Sequence, residues 1–192
     1  SSYGSDIGLS ICDAVELAAD MNFERIRLGS LEPDHITDEV IERLVKIDKF
    51  CPQFHISLQS GCDNTLRAMN RHYTSSEYRE LCTKLRNAFE DTTITTDIMV
   101  GFPTESEDDF ADNVAFAKEI GFEKVHVFPY SPREGTRAAK MEQIERSKKE
   151  KRSHIMIEET EKVRQAYLNS QIGRTAEVLL ETRHGDGFTE GY

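Results

Sequence analysis

The chain has 192 residues, 38% hydrophobic and 31% charged, which suits one compact domain with a small appendage and excludes a disordered chain. Its 24 Lys+Arg stand against 35 Asp+Glu, a formal net charge of −11, so no global positive field draws it to nucleic acid or an anionic membrane, and any RNA contact has to be local. No apolar stretch approaches the roughly 18 residues of a membrane span, and the first residues lack the basic and apolar regions of a signal peptide. The expectation is a soluble, cytoplasmic protein without a membrane partner.

Apolar runs rich in β-branched residues recur at Arg25–Leu31, Phe54–Leu58, Thr93–Val100 and Lys124–Phe128, each gap holding a helical pattern. Their spacing is that of βα units, which predicts parallel strands joined by right-handed helical crossovers. The first helix is expected at Ser10–Asp20, with Ile11, Ala14, Val15 and Ala18 on one face. The second opens at Thr37, carries Asp38 and Glu39 where the macrodipole favours acids, and is expected to run towards Pro52. Thr74 and Glu77 form a capping box for a third helix whose stripe of Tyr78, Leu81, Cys82, Leu85 and Phe89 places Cys82 in a core. Ser106 caps a fourth, ended by Gly121.

After Tyr130 the βα rhythm stops. Residues Gln143–Ser170 read as a long charged helix, and Thr175–Thr182 alternates like a strand of a different module. The expected division is 1–142 as the βα part, 143–171 as a connecting helix and 172–192 as the start of a different module. The basic run from Glu145 to Arg152 reads as a solvated helical face, with an RNA-contact stripe as the alternative.

In parallel βα architectures the residues just after each strand face the ligand. Here those segments are Ser30-Leu31-Glu32-Pro33, Gln59-Ser60-Gly61, Gly101-Phe102-Pro103-Thr104-Glu105 and Pro129-Tyr130-Ser131-Pro132, with Asp97 inside the third strand. A site shared by four consecutive strand ends fits a curved, barrel-like sheet better than a flat one. Asp97 sits among apolar and hydroxyl residues, where an unpaired charge is costly, so a backbone donor or Arg71 is expected to partner it. Arg71 itself reads either as a helix end or as an anion clamp. The histidines show no metal-ligand spacing, and the four cysteines, Cys12, Cys51, Cys62 and Cys82, form no CxxC pair; they read as free thiols in a reducing compartment. No nucleophile–base pair and no P-loop is present, so hydrolase and kinase readings lose ground.

Taken in order, LGSLEPDHIT, FHISLQSGCDNTLRAMNRHYT, TTDIMVGFPTESEDDF, HVFPYSPREGTRAA and the final GRTAEVLLE…DGFTEGY resemble the radical S-adenosylmethionine methylthiotransferases that modify tRNA or a ribosomal protein. HISLQSGC looks most like the branch acting on threonylcarbamoyladenosine in tRNA. The resemblance implies a partial, TIM-like radical SAM barrel of four parallel strands with outer helices, then a long helix and the first strands of an RNA-binding β-barrel. It implies a transferase that adds a methylthio group to C2 of a modified adenosine beside the anticodon. The cofactors it implies are S-adenosylmethionine and two [4Fe–4S] clusters, and the partners are tRNA and an electron donor such as flavodoxin or ferredoxin. In such enzymes a cluster reduces bound S-adenosylmethionine to a 5′-deoxyadenosyl radical, because side-chain acids and bases cannot activate that carbon–hydrogen bond.

Carried onto this chain, the resemblance puts Glu32, Gln59, Ser60, Asp97, Gly101, Phe128 and Tyr130 around the cofactor, and Arg71 and Arg133 on anionic groups. The family's CxxxCxxC loop is absent from the sequence, so the chain is expected to be a C-terminal piece of a longer enzyme, with no cluster ligands and inactive by itself. Two rival readings remain: a barrel enzyme that needs no cluster, and a non-catalytic RNA-binding module resting on the basic helix.

Overall fold

The computed structural model describes residues 3–185 and 187–191. Strands β1 (Ser30–Leu31), β2 (Gln53–Ile56), β3 (Thr93–Val100) and β4 (Lys124–Pro129) form one parallel sheet in the order β1-β2-β3-β4. They alternate with helices α1 (Ile11–Ala19), α2 (Asp38–Leu44), α3 (Asp63–Ala68), α4 (Ser75–Ala88) and α5 (Glu107–Ile120), and α6 (Arg146–Gln171) follows β4. Because each strand lies beside its predecessor, every crossover advances the same way and delivers its helix to the same side. This is the winding of a barrel sector, as the strand-end reading requires.

The two faces of the sheet are chemically opposite. Phe54, Ile56, Leu58, Ile94, Ile98 and Val100 point outward into a core shared with Tyr78, Leu81 and Leu85 of α4 and Phe116 and Ile120 of α5. Each such side chain contributes about 1.5–3 kcal/mol on burial. The alternate residues, His55, Asp97, Met99, His126 and Phe128, occupy the open inner face.

The helix signals read from the sequence act as expected. Thr74 and Glu77 close a reciprocal capping box, Ser106 pairs with Asp109 in another, and Gly121 ends α5 at φ 70°, ψ 57°. Cys82 is 1% exposed within the core. Other boundaries move for identifiable reasons. Helix α2 stops at Leu44, well before Pro52, because the chain must return to the sheet: Ile26 N–H donates to Lys49 O, and Cys51 N–H donates to Ile26 O. The first strand contracts from Arg25–Leu31 to Ser30–Leu31 plus an isolated bridge between Ile26 and Phe50. Helix α3 has too few residues to show a periodicity, and only Thr65 and Leu66 of it are buried.

The basic run at the start of α6 is not simply a solvated face. Lys149, Arg152, Ser153, Met156 and Thr160 form a buried stripe, and the helix packs on β4 and α5. Beyond it, β5 (Leu180–Arg183) pairs with β6 (Thr189–Gly191) in a separate antiparallel ladder, so only part of the expected Thr175–Thr182 strand forms. Among the described residues no helix is long and apolar enough to cross a membrane.

Candidate functional site

The site assembles where the four parallel strands end. After β1 the chain runs through Glu32 into the turn Pro33–His35, and Arg71 Nη1 donates to Glu32 Oε2 at 2.9 Å. Arg71 is placed by the end of α3: Asn70 adopts the left-handed conformation at φ 59°, and Arg71 N–H returns to Leu66 O. Two residues on, the buried Tyr73 hydroxyl donates to the carbonyls of Ser57 and Leu58, pinning this turn beside β2. Burial pushes the Tyr73 phenol up to about 12, which keeps it a donor at neutral pH.

The end of β2 breaks regular pairing. Thr96 Oγ1 donates to Ile56 O at 2.6 Å and accepts from Leu58 N–H, so a side chain of β3 replaces a ladder bond. Gln59 then sits at φ 66°, with its N–H on Asp97 O and its carbonyl accepting from Met99 N–H. A left-handed conformation at a residue with a full side chain costs on the order of 1–2 kcal/mol and is held here by both backbone bonds. Ser60 is wholly buried, its hydroxyl accepting from Cys62 N–H. The next amide, Gly61 N–H, donates to Asn113 Oδ1 at 2.7 Å, and a Cβ on Gly61 would lie 2.5 Å from that of Phe116.

On the inner face Asp97 finds a partner that the sequence reading did not name. His55 Nε2 lies 3.4 Å from Asp97 Oδ2, while His55 Nδ1 contacts Thr95 Oγ1 at 2.9 Å and the ring of His126 stands 5.9 Å away. Arg71 is unavailable to Asp97 because it is committed to Glu32. The alternation of Phe54, His55, Ile56 and of Val125, His126, Val127 carried the missed signal: outward apolar neighbours force both imidazoles onto the opposite face.

At the end of β3, Gly101 takes φ 72° and a Cβ on it would sit 2.6 Å from Lys149 Cγ. Its N–H donates to Glu105 Oε2, which also accepts from Arg152 Nη1 at 2.7 Å; both side chains of this ion pair are sealed from water. Burial pushes the Glu105 carboxyl above its usual range against the pull of the Gly101 N–H and of Arg152. Arg152 further donates to the carbonyls of Glu105 and Ser106 and lies over the Phe110 ring. The Gly101 turn is therefore locked from behind by α6.

The end of β4 completes the arrangement. Phe128 is half-exposed on the inner face, and Tyr130 packs edge-on against Phe102 with centroids 5.2 Å apart. Lys149 Nζ donates to Tyr130 O and stands 5.1 Å from its ring, while the buried Tyr130 hydroxyl has no hydrogen-bond partner. Between these residues and the end of α3 opens a cleft of about 650 Å³ that gathers Gln59, Arg71, Tyr130 and Arg133 over a floor of Met99 and Phe102. Glu32 reaches its margin through Arg71. Asp97 and Phe128 lie on the adjoining open face, and Ser60 and Gly101 lie beneath, their polar groups engaged as described. A larger hollow of about 820 Å³ between α5 and α6 lies away from the strand ends.

The family model for the Radical SAM superfamily matches residues 5–117, the segment that carries β1 to β3 and most of α5. The chain belongs to this superfamily. Among radical SAM proteins, the chain is 35% identical to the threonylcarbamoyladenosine tRNA methylthiotransferase MtaB of Thermotoga maritima, over 99% of its own length and 44% of that protein's. It is 39% identical to a tRNA-2-methylthio-N(6)-dimethylallyladenosine synthase of Endomicrobium trichonymphae, over 85% of this chain and 40% of that one. MtaB of Bacillus subtilis is 36% identical over 88% of this chain. The chain thus spans less than half the length of the curated relatives it matches. Among solved structures, an N-terminally deleted Elp3 of Methanocaldococcus infernus is similar with a TM-score of 0.47 and 14% identity, covering 81% of this chain and 36% of that one.

Membership in the superfamily implies S-adenosylmethionine and an iron–sulfur cluster. The cysteines of this radical SAM chain do not fit a cluster. Cys12, Cys62 and Cys82 are buried, and burial pushes their thiols up, that of Cys82 to about 12, whereas cluster ligands are thiolates. Among the described residues no group of three or more His, Cys, Asp or Glu side chains could hold a metal ion. The cleft fits a small organic ligand better: its volume lies in the usual range for one, its floor is apolar, and a few polar side chains converge on it.

Proposed function

We propose that this chain is the barrel portion of a tRNA methylthiotransferase, a radical SAM transferase that places a methylthio group on C2 of a modified adenosine near the anticodon. The observation that carries the reading is similarity along nearly the whole chain to relatives named for that chemistry, joined to a cleft at the strand ends where a barrel enzyme keeps its site. Cofactor and reacting base would meet at this end. Gln59, Asp97, Phe128 and Tyr130, with Glu32 at the margin, border the S-adenosylmethionine space, and Arg71 and Arg133 meet anionic groups. Ser60 and Gly101 act from below by shaping the two turns.

Bound S-adenosylmethionine and its cluster supply the radical chemistry that protein side chains lack. The reading includes two [4Fe–4S] clusters held by residues other than these cysteines, an electron donor such as flavodoxin or ferredoxin, a cytoplasmic setting, and no reaction by this polypeptide alone. Residues 172–192 fit the start of an RNA-binding barrel, since β5 and β6 pair with each other and not with the four-stranded sheet. A barrel enzyme without a cluster loses its footing to the superfamily match.

The test is mass spectrometry of tRNA nucleosides from cells with and without the gene. A 2-methylthioadenosine derivative should vanish on deletion, and its identity separates the threonylcarbamoyl from the dimethylallyl substrate. Unchanged nucleosides would refute the reading.

A further inference from the structure

Half of the cations of this acidic chain meet an acid where they stand. Arg43 binds Asp13 and Glu16, Arg79 binds Glu119, Lys118 binds Glu159, Lys148 binds Glu107 and Arg152 binds Glu105. In the strand-end cleft four arginines gather with less neutralisation. Arg67, Arg71, Arg133 and Arg137 all line it, and of these only Arg71 meets a carboxylate. Arg67 donates to the neutral side-chain carbonyl of Asn64, and Arg133 and Arg137 pair with no acid among the described residues. Glu134, on the same loop, does not line the cleft.

The loop that presents them is built. Gly135 supplies φ 83°, Thr136 donates to Arg133 O through both its N–H and its hydroxyl, and Ala139 N–H donates to Thr136 Oγ1. Guanidinium groups are planar forks suited to phosphate oxygens, and apolar or aromatic surfaces take the face of a base. The cleft is the size of a single small ligand, which admits one splayed-out nucleotide and no duplex.

We propose that Arg67, Arg133 and Arg137 form a phosphodiester-binding rim that holds single-stranded RNA across the strand-end cleft, with Met99 and Phe102 as the floor beneath one unstacked base. The proposal rests on the reading of the substrate as an RNA. These arginines position the strand and do not read its sequence, because backbone contacts carry no base information.

The test is fluorescence anisotropy of a labelled anticodon stem-loop RNA titrated with the chain across a series of KCl concentrations. Arg67→Gln, Arg133→Gln and Arg137→Gln should each reduce the slope of log K against log[salt] by about 0.7, and the Arg133→Gln/Arg137→Gln pair by about 1.4. A scrambled loop sequence should lose the same amount, and circular dichroism melting should be unchanged. Lys151→Gln, an exposed charge removed from α6 away from the cleft, should leave the slope as it is. Unchanged slopes in all three arginine variants, or an equal loss with Lys151→Gln, would overturn the proposal. The nucleoside analysis separates the two failures: 2-methylthio loss on deletion with unchanged slopes sinks the rim alone, and arginine-dependent slopes with unchanged nucleosides sink only the transferase reading.

Discussion

Replacing Arg152 with Met isolates the contribution of the lock behind the Gly101 turn. Arg152 is 2% exposed and makes three hydrogen bonds, to Glu105 Oε2 and to the carbonyls of Glu105 and Ser106. Met keeps most of the packing over Phe110 and leaves a sealed carboxylate facing only the Gly101 N–H. Removing one partner of a buried ion pair costs about 3–5 kcal/mol, which for a chain of this size lowers Tm by about 6–20 °C. The sign of the pH dependence follows from Glu105. Its carboxyl is already raised by burial, so its contribution to stability is present below the unfolded pKa and is lost as pH rises through the folded value. Without Arg152 that value rises further, so the gap between wild type and R152M should widen from pH 5 to pH 8. Urea denaturation at both pH values measures it, and a Glu105→Gln/Arg152→Met double variant should recover much of the loss. A cost below about 1 kcal/mol at pH 8, with no coupling in the double-mutant cycle, would refute the reasoning.

Three further outcomes follow from the same geometry. Gly101→Ala meets both a left-handed backbone and the Lys149 stem, and should lose about 1–3 kcal/mol in urea denaturation. Asn113→Ala leaves the buried Gly61 N–H without its acceptor and should cost about 1–3 kcal/mol by the same assay. Asp109 resists burial because the hydrogen bonds from Ser106, Asn64 and Cys62 together outweigh it, and its carboxyl is held well below the usual range. Its contribution is present above the unfolded pKa and is lost as pH falls through the folded one, so Asp109→Asn should flatten the acid limb of a plot of Tm against pH.

What the sequence made legible was periodic or capped. The strand Thr93–Val100, the Thr74 and Ser106 starts, the Gly121 stop and the buried Cys82 each rest on a short-range rule with a physical cause. Four parallel strands in sequence order followed from the spacing of those elements. What stayed hidden depends on partners distant in sequence. Asp97 meets His55 because β2 and β3 align Thr95 with His55, a register that no local pattern encodes. The basic run before Arg152 looked solvated because its acid, Glu105, lies 47 residues earlier. Arg67 and Arg137 gave no signal, since convergence on one cleft is a property of the folded loops.

The sheet also has an uneven distribution of support. Strand β3 is paired along both edges and carries Asp97, Met99 and the Gly101 turn, whereas β1 is held to its neighbour by two aligned residue pairs and one isolated bridge. Edge segments with few bonds open at low free-energy cost, while doubly paired ones open only with global unfolding. Within this polypeptide the two sides of the cleft therefore differ in how firmly their strands are bonded. Glu32, and with it the tether on Arg71, follows the strand with the fewer bonds in this polypeptide, whereas Met99 and the Gly101 turn belong to the one paired along both edges.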